Sequence, residues 1–406
     1  CESTSYSPAA AMAARLVVLV ALALAGADGA AVPSQQVTVT ANPADSPRWT
    51  LVKGIMEAYF PLPDMAFSAG DATGRKFTLE KGNMTMSTPL AMASSSKFPA
   101  ANAIVGVVAD GHLSLDTLAH ELFPWWSKSP SDRRSRVTLR HLLSFTSGFF
   151  SPDTGGSVPC LGQGGAGYSS EACAREIYEQ APHEFEPGST WAYNSFHLQV
   201  AGAMAAKASN LTVQQVLSRY LIDKLDLRGT FWMGGENPGL AGNMITIGDD
   251  YDKVLRAYLS YELVPKRLAD EMERDYLEGS VQVANSSTFL AQLLGHYSMC
   301  NYFECLPPKL ADFTPGCKRA NIHMDAGLFG YYPLVDRARG TYMQLVVMKL
   351  PVGGTFAPTI ASFALRMLIK HSVDRALGRP NATGGVEDAL DDEEEGGVAA
   401  HPATRE

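Results

Sequence analysis

The chain has 406 residues, 46% of them hydrophobic and 9% aromatic, with a formal net charge of −9. That balance describes a globular protein with ample core, and it excludes a basic nucleic-acid-binding surface. Seven acidic residues fall between Glu387 and Glu395, so the folded part is close to neutral and this run reads as a solvated tail.

Met12-Ala13-Ala14-Arg15 precedes an apolar stretch, Leu16 to Ala25, and then small residues around Gly26 to Ala31. These make a charged n-region, a short h-region and a cleavage site, with Met12 as the expected start. The apolar stretch is about half of the ~20 residues a spanning helix needs, which favours a signal peptide over stable membrane insertion. The expected location is secreted, or the secretory-pathway lumen, where Cys160, Cys173, Cys300, Cys305 and Cys317 would meet oxidising conditions. Cys160 with Cys173 would close a Gly-rich loop, two of the last three could pair, and at least one thiol is left over. A zinc site from Cys300, Cys305, Cys317 and His323 is disfavoured because the close Cys pairs of structural sites are missing, so no metal is expected. Sequons at Asn83, Asn210, Asn285 and Asn381 agree with a glycoprotein.

Val37 to Ala41 is a short segment leading into an amphipathic helix over Arg48 to Tyr59. Met65 to Glu80 has two β-prone arms around a turn rich in Gly, Asp and Thr, and a short extended piece follows near Pro89 to Met92. Apolar residues then recur at helical spacing from Ser94 to Val108, and Asp110-Gly111 ends that helix. About Leu118 to Tyr276 the chain is mostly helical: a Thr138-capped helix, then Gln199 to Ala206, Val213 to Leu225, Asp249 to Leu263 and Lys266 to Tyr276. Leu328 to Val335 and Thr341 to Leu350 flank a turn at Asp336 to Gly340, and Ala357 to Leu377 is a long closing helix. Strands at both ends with helices between predict an α+β fold, with terminal helices packed on one antiparallel sheet. The expected organisation is upstream residues and signal peptide over 1–31, one domain over 35–378 with a helical subdomain over about 118–276, and a disordered acidic tail over 379–406.

Chemistry concentrates at Ser94-Ser95-Ser96-Lys97. Lys97 is the only lysine with a serine three residues before it, which puts a hydroxyl and an amine one helical turn apart. That is the geometry of an activated serine nucleophile, although a serine-rich helix cap is the plainer reading.

In this helical context Ser94-Ser-Ser-Lys97 resembles the first motif of the serine β-lactamase and penicillin-binding-protein superfamily. Val137 to Gly148 (VTLRHLLSFTSG) is similar to the segment that follows it in the class C-type branch. Pro187-Gly-Ser-Thr-Trp-Ala-Tyr193 resembles the run carrying that branch's catalytic tyrosine, and Gly327 to Asp336 resembles the strand pair bordering the active site. The four matches occur in family order. The resemblance implies an acyl-enzyme on Ser94, with Lys97 taking the serine proton. It also implies that Tyr193 shares this proton traffic, accepting a proton as a phenolate beside Lys97 and then passing it to the leaving group, and that the Leu328 backbone N–H is a second oxyanion donor.

Two departures bear on substrate. The family pattern continues Tyr-x-Asn, whereas Tyr193 is followed by Asn194-Ser195, so the substrate amide would be held by a displaced amide or by a hydroxyl. If Gly327 is the third-motif glycine, Asp325 occupies the position that is normally cationic, and His323 fills that role only if a bulge brings it in. An acidic residue there would repel a substrate carboxylate. The expectation is a secreted serine acyl hydrolase for a small-molecule ester, amide or lactam, with no cofactor and no nucleic-acid partner. The alternative is a catalytically inactive binding or self-assembling glycoprotein that retains the fold.

Overall fold

In a computed structural model, the residues described are 38–43, 46–151, 158–161, 168–284, 296–304, 315–351 and 357–379, the side chain of Cys317 excepted. The proposed signal segment, Cys305, the sequons at Asn285 and Asn381, and the acidic tail beyond 379 lie outside them. The central feature is a seven-stranded antiparallel sheet. Its strands are β1 (Val39–Asn42), β2 (Met65–Asp71), β3 (Gly74–Lys81), β4 (Tyr302–Phe303), β5 (Ile322–Met324), β6 (Tyr332–Asp336) and β7 (Thr341–Val346). They lie in the order β1-β3-β2-β7-β6-β5-β4, so the N-terminal and C-terminal hairpins join through the β2–β7 pair, with Met343 opposite Ala69.

Every residue of β6 and β7 is buried. A strand covered on one side only would alternate, so this pattern requires cover on both faces. Helices α1 (Thr50–Ala58) and α5 (Ala357–Ala376) supply one cover and are tied together by Tyr59 Oη donating to Ala361 O at 2.8 Å. Helix α4 (Gly248–Leu259) supplies the other. Tyr342 and Gln344, two apart on β7, reach it together: Tyr342 Oη donates to Asp252 Oδ2 at 2.8 Å and Gln344 Nε2 to Gly248 O at 2.8 Å. The α+β layout with terminal helices on an antiparallel sheet and helices between is therefore the observed one. Two features of the sheet were not visible in the sequence. Val39–Asn42 is an edge strand rather than a lead-in, and β4 and β5 are too short to show a period-two pattern.

Helix α2 (Lys97–Ala109) runs through the interior, with every residue from Lys97 to Val108 buried. The sequence predicts one helix from Ser94, but Ala93–Ser96 forms a 3₁₀ turn and the α-helix starts at Lys97. Ala93 at φ 47° turns the chain sharply into it from the short strand Leu90–Ala91, which pairs with Met244–Thr246. Helix α3 (Phe196–Ser209) is buried over nearly its whole length and packs against α2. The expected Cys160–Cys173 disulfide is present. Cys300 is a free buried thiol, and the other expected pairing involves positions outside the described side chains. Among the described residues no helix is long and apolar enough to cross a membrane.

Candidate active site

The three consecutive serines have separate fates. Ser96 Oγ donates to Ala93 O at 2.6 Å and accepts from Met244 N at 3.1 Å. Ser95 is fully buried, with Oγ donating to Asp325 O. Only Ser94 borders a cavity, of about 350 Å³. None of the three caps the helix through its side chain, so the capping reading does not describe them. The φ of Ala93 is uncommon for a residue with a Cβ, and it delivers Ser94 to the cavity at the N-terminal end of a buried helix. There the helix dipole favours a developing negative charge.

Lys97 Nζ lies 3.0 Å from Ser94 Oγ, donates to Ala241 O at 2.6 Å, and sits 4.7 Å from the centre of the Tyr193 ring. Burial of Lys97 drives its amine below the ordinary lysine range, to about 8, while the nearby Asp325 and Cys300 work against that shift. A neutral amine within hydrogen-bond reach of a serine hydroxyl is a general base in position. Tyr193 is also hydrogen-bonded to Ser94, and burial raises its phenol well above the usual range. The protein therefore holds Tyr193 as a neutral phenol that can donate a proton. The phenolate that the resemblance implies is opposed by desolvation.

Tyr193 is positioned by the two segments around it. Ala192 N donates to Phe145 O at 3.0 Å, and the Phe145 ring lies 5.5 Å from that of Tyr193. Ala192 O accepts from His197 Nε2 at 2.7 Å, which makes His197 Nδ1 the acceptor for Ser147 Oγ at 2.9 Å. Burial pushes His197 down to about 3, so its imidazole is neutral near neutral pH. The VTLRHLLSFTSG segment thus buttresses the tyrosine, starting from a capping box at Thr138 and His141.

Ser195 and Leu328 border the same cavity. The Leu328 backbone N–H donates to no described acceptor, as an oxyanion donor requires. Gly327 packs directly behind the serine turn, where an added Cβ would lie 2.3 Å from Met92 O and 3.1 Å from Ser95 Oγ. Like Gly327, the other three predicted substrate contacts do not line the cavity. Asn194 is fully buried, its amide donating to Phe149 O at 3.1 Å and accepting from Phe196 N at 3.1 Å. His323 is held in β5 between Asn301 Oδ1 (2.7 Å) and Asn321 Oδ1 (2.9 Å), with burial pushing it down to about 3. There is no bulge there, because His323 stays in register opposite Val335 and Phe303. Asp325 lies behind the serine turn, its Oδ2 accepting from Phe98 N at 3.0 Å, and burial raises its carboxyl. The structure thus places it where it acts on Lys97 rather than on a ligand.

Sequence reasoning missed Gln199, Asn243, Phe329 and Thr359, all of which border the cavity. Gln199 was accessible to it, since it follows Ser195 by four residues on one helix face. Residues 239–243 gave no local signal, because the pairing of Met244–Thr246 with Leu90–Ala91 brings them to Lys97. Among the described residues no cluster of His, Cys, Asp or Glu could hold a metal.

The family model described as Beta-lactamase matches residues 64–259, which span the serine turn, Lys97 and Tyr193. That match covers just under half of the chain. Solved structures with the same fold include a Bacteroides dorei protein bearing a provisional β-lactamase name, at 20% identity and TM-score 0.62 over 79% of this chain and 99% of that one. Simvastatin synthase (LovD) from Aspergillus terreus is similar at 15% identity and TM-score 0.57, over 80% and 99% of the two chains. A D-stereospecific amidohydrolase from Streptomyces sp. is similar at 18% identity and TM-score 0.54, over 78% and 97%. No curated protein matches the sequence. The chain therefore has the β-lactamase/transpeptidase fold, and its residues 64–259 match the Beta-lactamase family model.

Lys97 gives this site a testable pH dependence. If its amine must be neutral to take the serine proton, kcat/KM for an ester should rise with pH and level off above about 8. Asp325→Asn removes a negative charge that favours the lysine proton, so the rise should move to lower pH. Profiles of the two proteins that coincide would remove Asp325 from this role.

Proposed function

We propose that this protein is an acyl hydrolase, an esterase or amidase or a β-lactamase-like enzyme, that works through an acyl-enzyme on Ser94. The observation that carries the reading is the convergence of Ser94, Lys97 and Tyr193 on one cavity, with Lys97 Nζ 3.0 Å from Ser94 Oγ. In the forward step Lys97 takes the Ser94 proton as Oγ bonds to the substrate carbonyl carbon. The carbonyl oxygen becomes the oxyanion facing the Leu328 N–H and the helix end, and Tyr193 protonates the leaving group. Water then attacks the acyl carbon and gives a proton to the Tyr193 oxygen, while Lys97 returns its proton to Ser94 Oγ as the acid is released. The activities named for the similar structures, an amidohydrolase and a synthase, are compatible with such an acyl-enzyme.

Among the described cavity residues Lys97 is the only charged side chain, and it is committed to Ser94 and Ala241 O. No second cation is there to grip a carboxylate, which supports a neutral ester or amide over a classical β-lactam or a peptide terminus. We place its action in the secretory lumen or outside the cell, supported by the signal-like sequence over residues 12–31 and by the disulfide.

The test is reaction of the purified protein with a fluorophosphonate, alongside turnover of p-nitrophenyl esters and a chromogenic β-lactam. Stoichiometric labelling with ester turnover is the expected result. No labelling and no turnover by the folded protein would leave the non-catalytic binding role. Tyr193→Phe should slow ester turnover roughly 10²-fold or more while the thermal midpoint changes little. Wild-type rates in that variant would remove Tyr193 from the mechanism.

A further inference from the structure

Ser195 and Gln199, one turn apart on α3, both border the cavity. Gln199 Nε2 donates to Asn237 Oδ1 and, at 3.1 Å, to Pro238 O. A backbone carbonyl only accepts, so the nitrogen must face Pro238 and the amide has one orientation. Asn237 is fixed in turn, because its Nδ2 donates to Cys160 O at 3.0 Å and leaves Oδ1 for Gln199. Cys160 is held to Cys173 by the disulfide, and Leu161 beside it borders the cavity. Gln199 is 2% exposed, and its Oε1 accepts from no described residue. An amide free to rotate could serve a donor or an acceptor on a ligand. This one cannot turn over without breaking two buried hydrogen bonds.

We propose that Gln199 determines specificity by offering Oε1 to the cavity as a fixed acceptor. The site would then select acyl substrates that carry an N–H or O–H donor near the scissile group. The same oxygen would repel a substrate carboxylate, in keeping with the lack of a second cation among the described cavity residues. The inference rests on the acyl-hydrolase reading of Ser94. It adds a substrate feature to that reading, and the relay from Cys160 through Asn237 is what holds the feature in place.

The experiment compares kcat/KM for the p-nitrophenyl esters of N-acetylglycine, which carries an N–H donor, and of butyric acid, which does not. The ratio is read in wild type against variants, so the intrinsic reactivities of the esters cancel. Gln199→Met, similar in shape but without the acceptor, should lower the ratio roughly tenfold. Asn237→Ala, which frees the amide to rotate, should lower the ratio part of the way. It also serves as the test if Gln199→Met does not fold. An unchanged ratio in a folded variant overturns the proposal. If fluorophosphonate labels nothing and neither ester turns over, the hydrolase reading fails separately. The inference is then read by calorimetry, with N-acetylglycinamide against butyramide. A preference lost in Gln199→Met upholds it, and equal binding in wild type overturns it.

Discussion

Ser94→Ala is expected to abolish fluorophosphonate labelling and to lower ester turnover on the order of 10⁴-fold, while leaving the protein folded. The neighbouring serines should behave in the opposite way. Ser95 donates to Asp325 O, and Ser96 links Ala93 O to Met244 N. Ser95→Ala and Ser96→Ala each strand buried polar groups, so each should cost about 1–3 kcal/mol of stability yet still take the label. Labelling that survives Ser94→Ala and disappears in Ser95→Ala, measured on folded proteins, would reassign the nucleophile. The distinction is sharp because the serines are adjacent in sequence but face three different surroundings.

Gly327→Ala should be the most damaging single-atom change near the site. Its Cβ would meet Met92 O at 2.3 Å, and a backbone oxygen cannot swing aside as a flexible side chain can. Either β5 and its following loop move away from the serine turn or the turn itself shifts. We expect a loss of roughly 3 kcal/mol, together with slower labelling of Ser94. Gly54→Ala is the control. Nothing lies within 4 Å of its added Cβ, and in a helix the change should stabilise by up to about 1 kcal/mol. Chemical denaturation of both variants, with labelling rates measured on the folded protein, checks the pair. Wild-type stability in Gly327→Ala would mean that the two segments are not in this contact.

Much of the site was legible because its chemistry is encoded in local spacing. A serine three residues before a lysine must bring the two side chains to one face of a helical turn, whatever the rest of the chain does. Pro187 to Tyr193 and Val137 to Gly148 were readable for a related reason, since a tight turn and a helix cap impose residue types locally. Gly188 sits at φ 86°, and Thr138 accepts from His141 N at 3.3 Å. The substrate side was harder. Asn194, His323 and Asp325 stand at the sequence positions where a family contact is expected, but burial and hydrogen bonding turn their side chains away from the cavity. Sequence spacing alone does not show which of two neighbouring residues points inward when the surrounding strands are buried on both faces.

The sequence by itself pointed to the Ser94–Lys97 pair, the tyrosine run, the Cys160–Cys173 pairing and the strand–helix–strand layout. Each of these depends on interactions over a few residues or on a hydrophobic period. Only the tertiary structure decided which serine meets the cavity, that Asp325 lies behind it, and that Ala241, Asn243 and Gln199 surround it. Those placements depend on pairings between segments far apart in the chain, such as Leu90–Ala91 with Met244–Thr246. They also depend on desolvation, which sets the protonation of Lys97 and Tyr193 and exists only once the helices and sheet have closed around them.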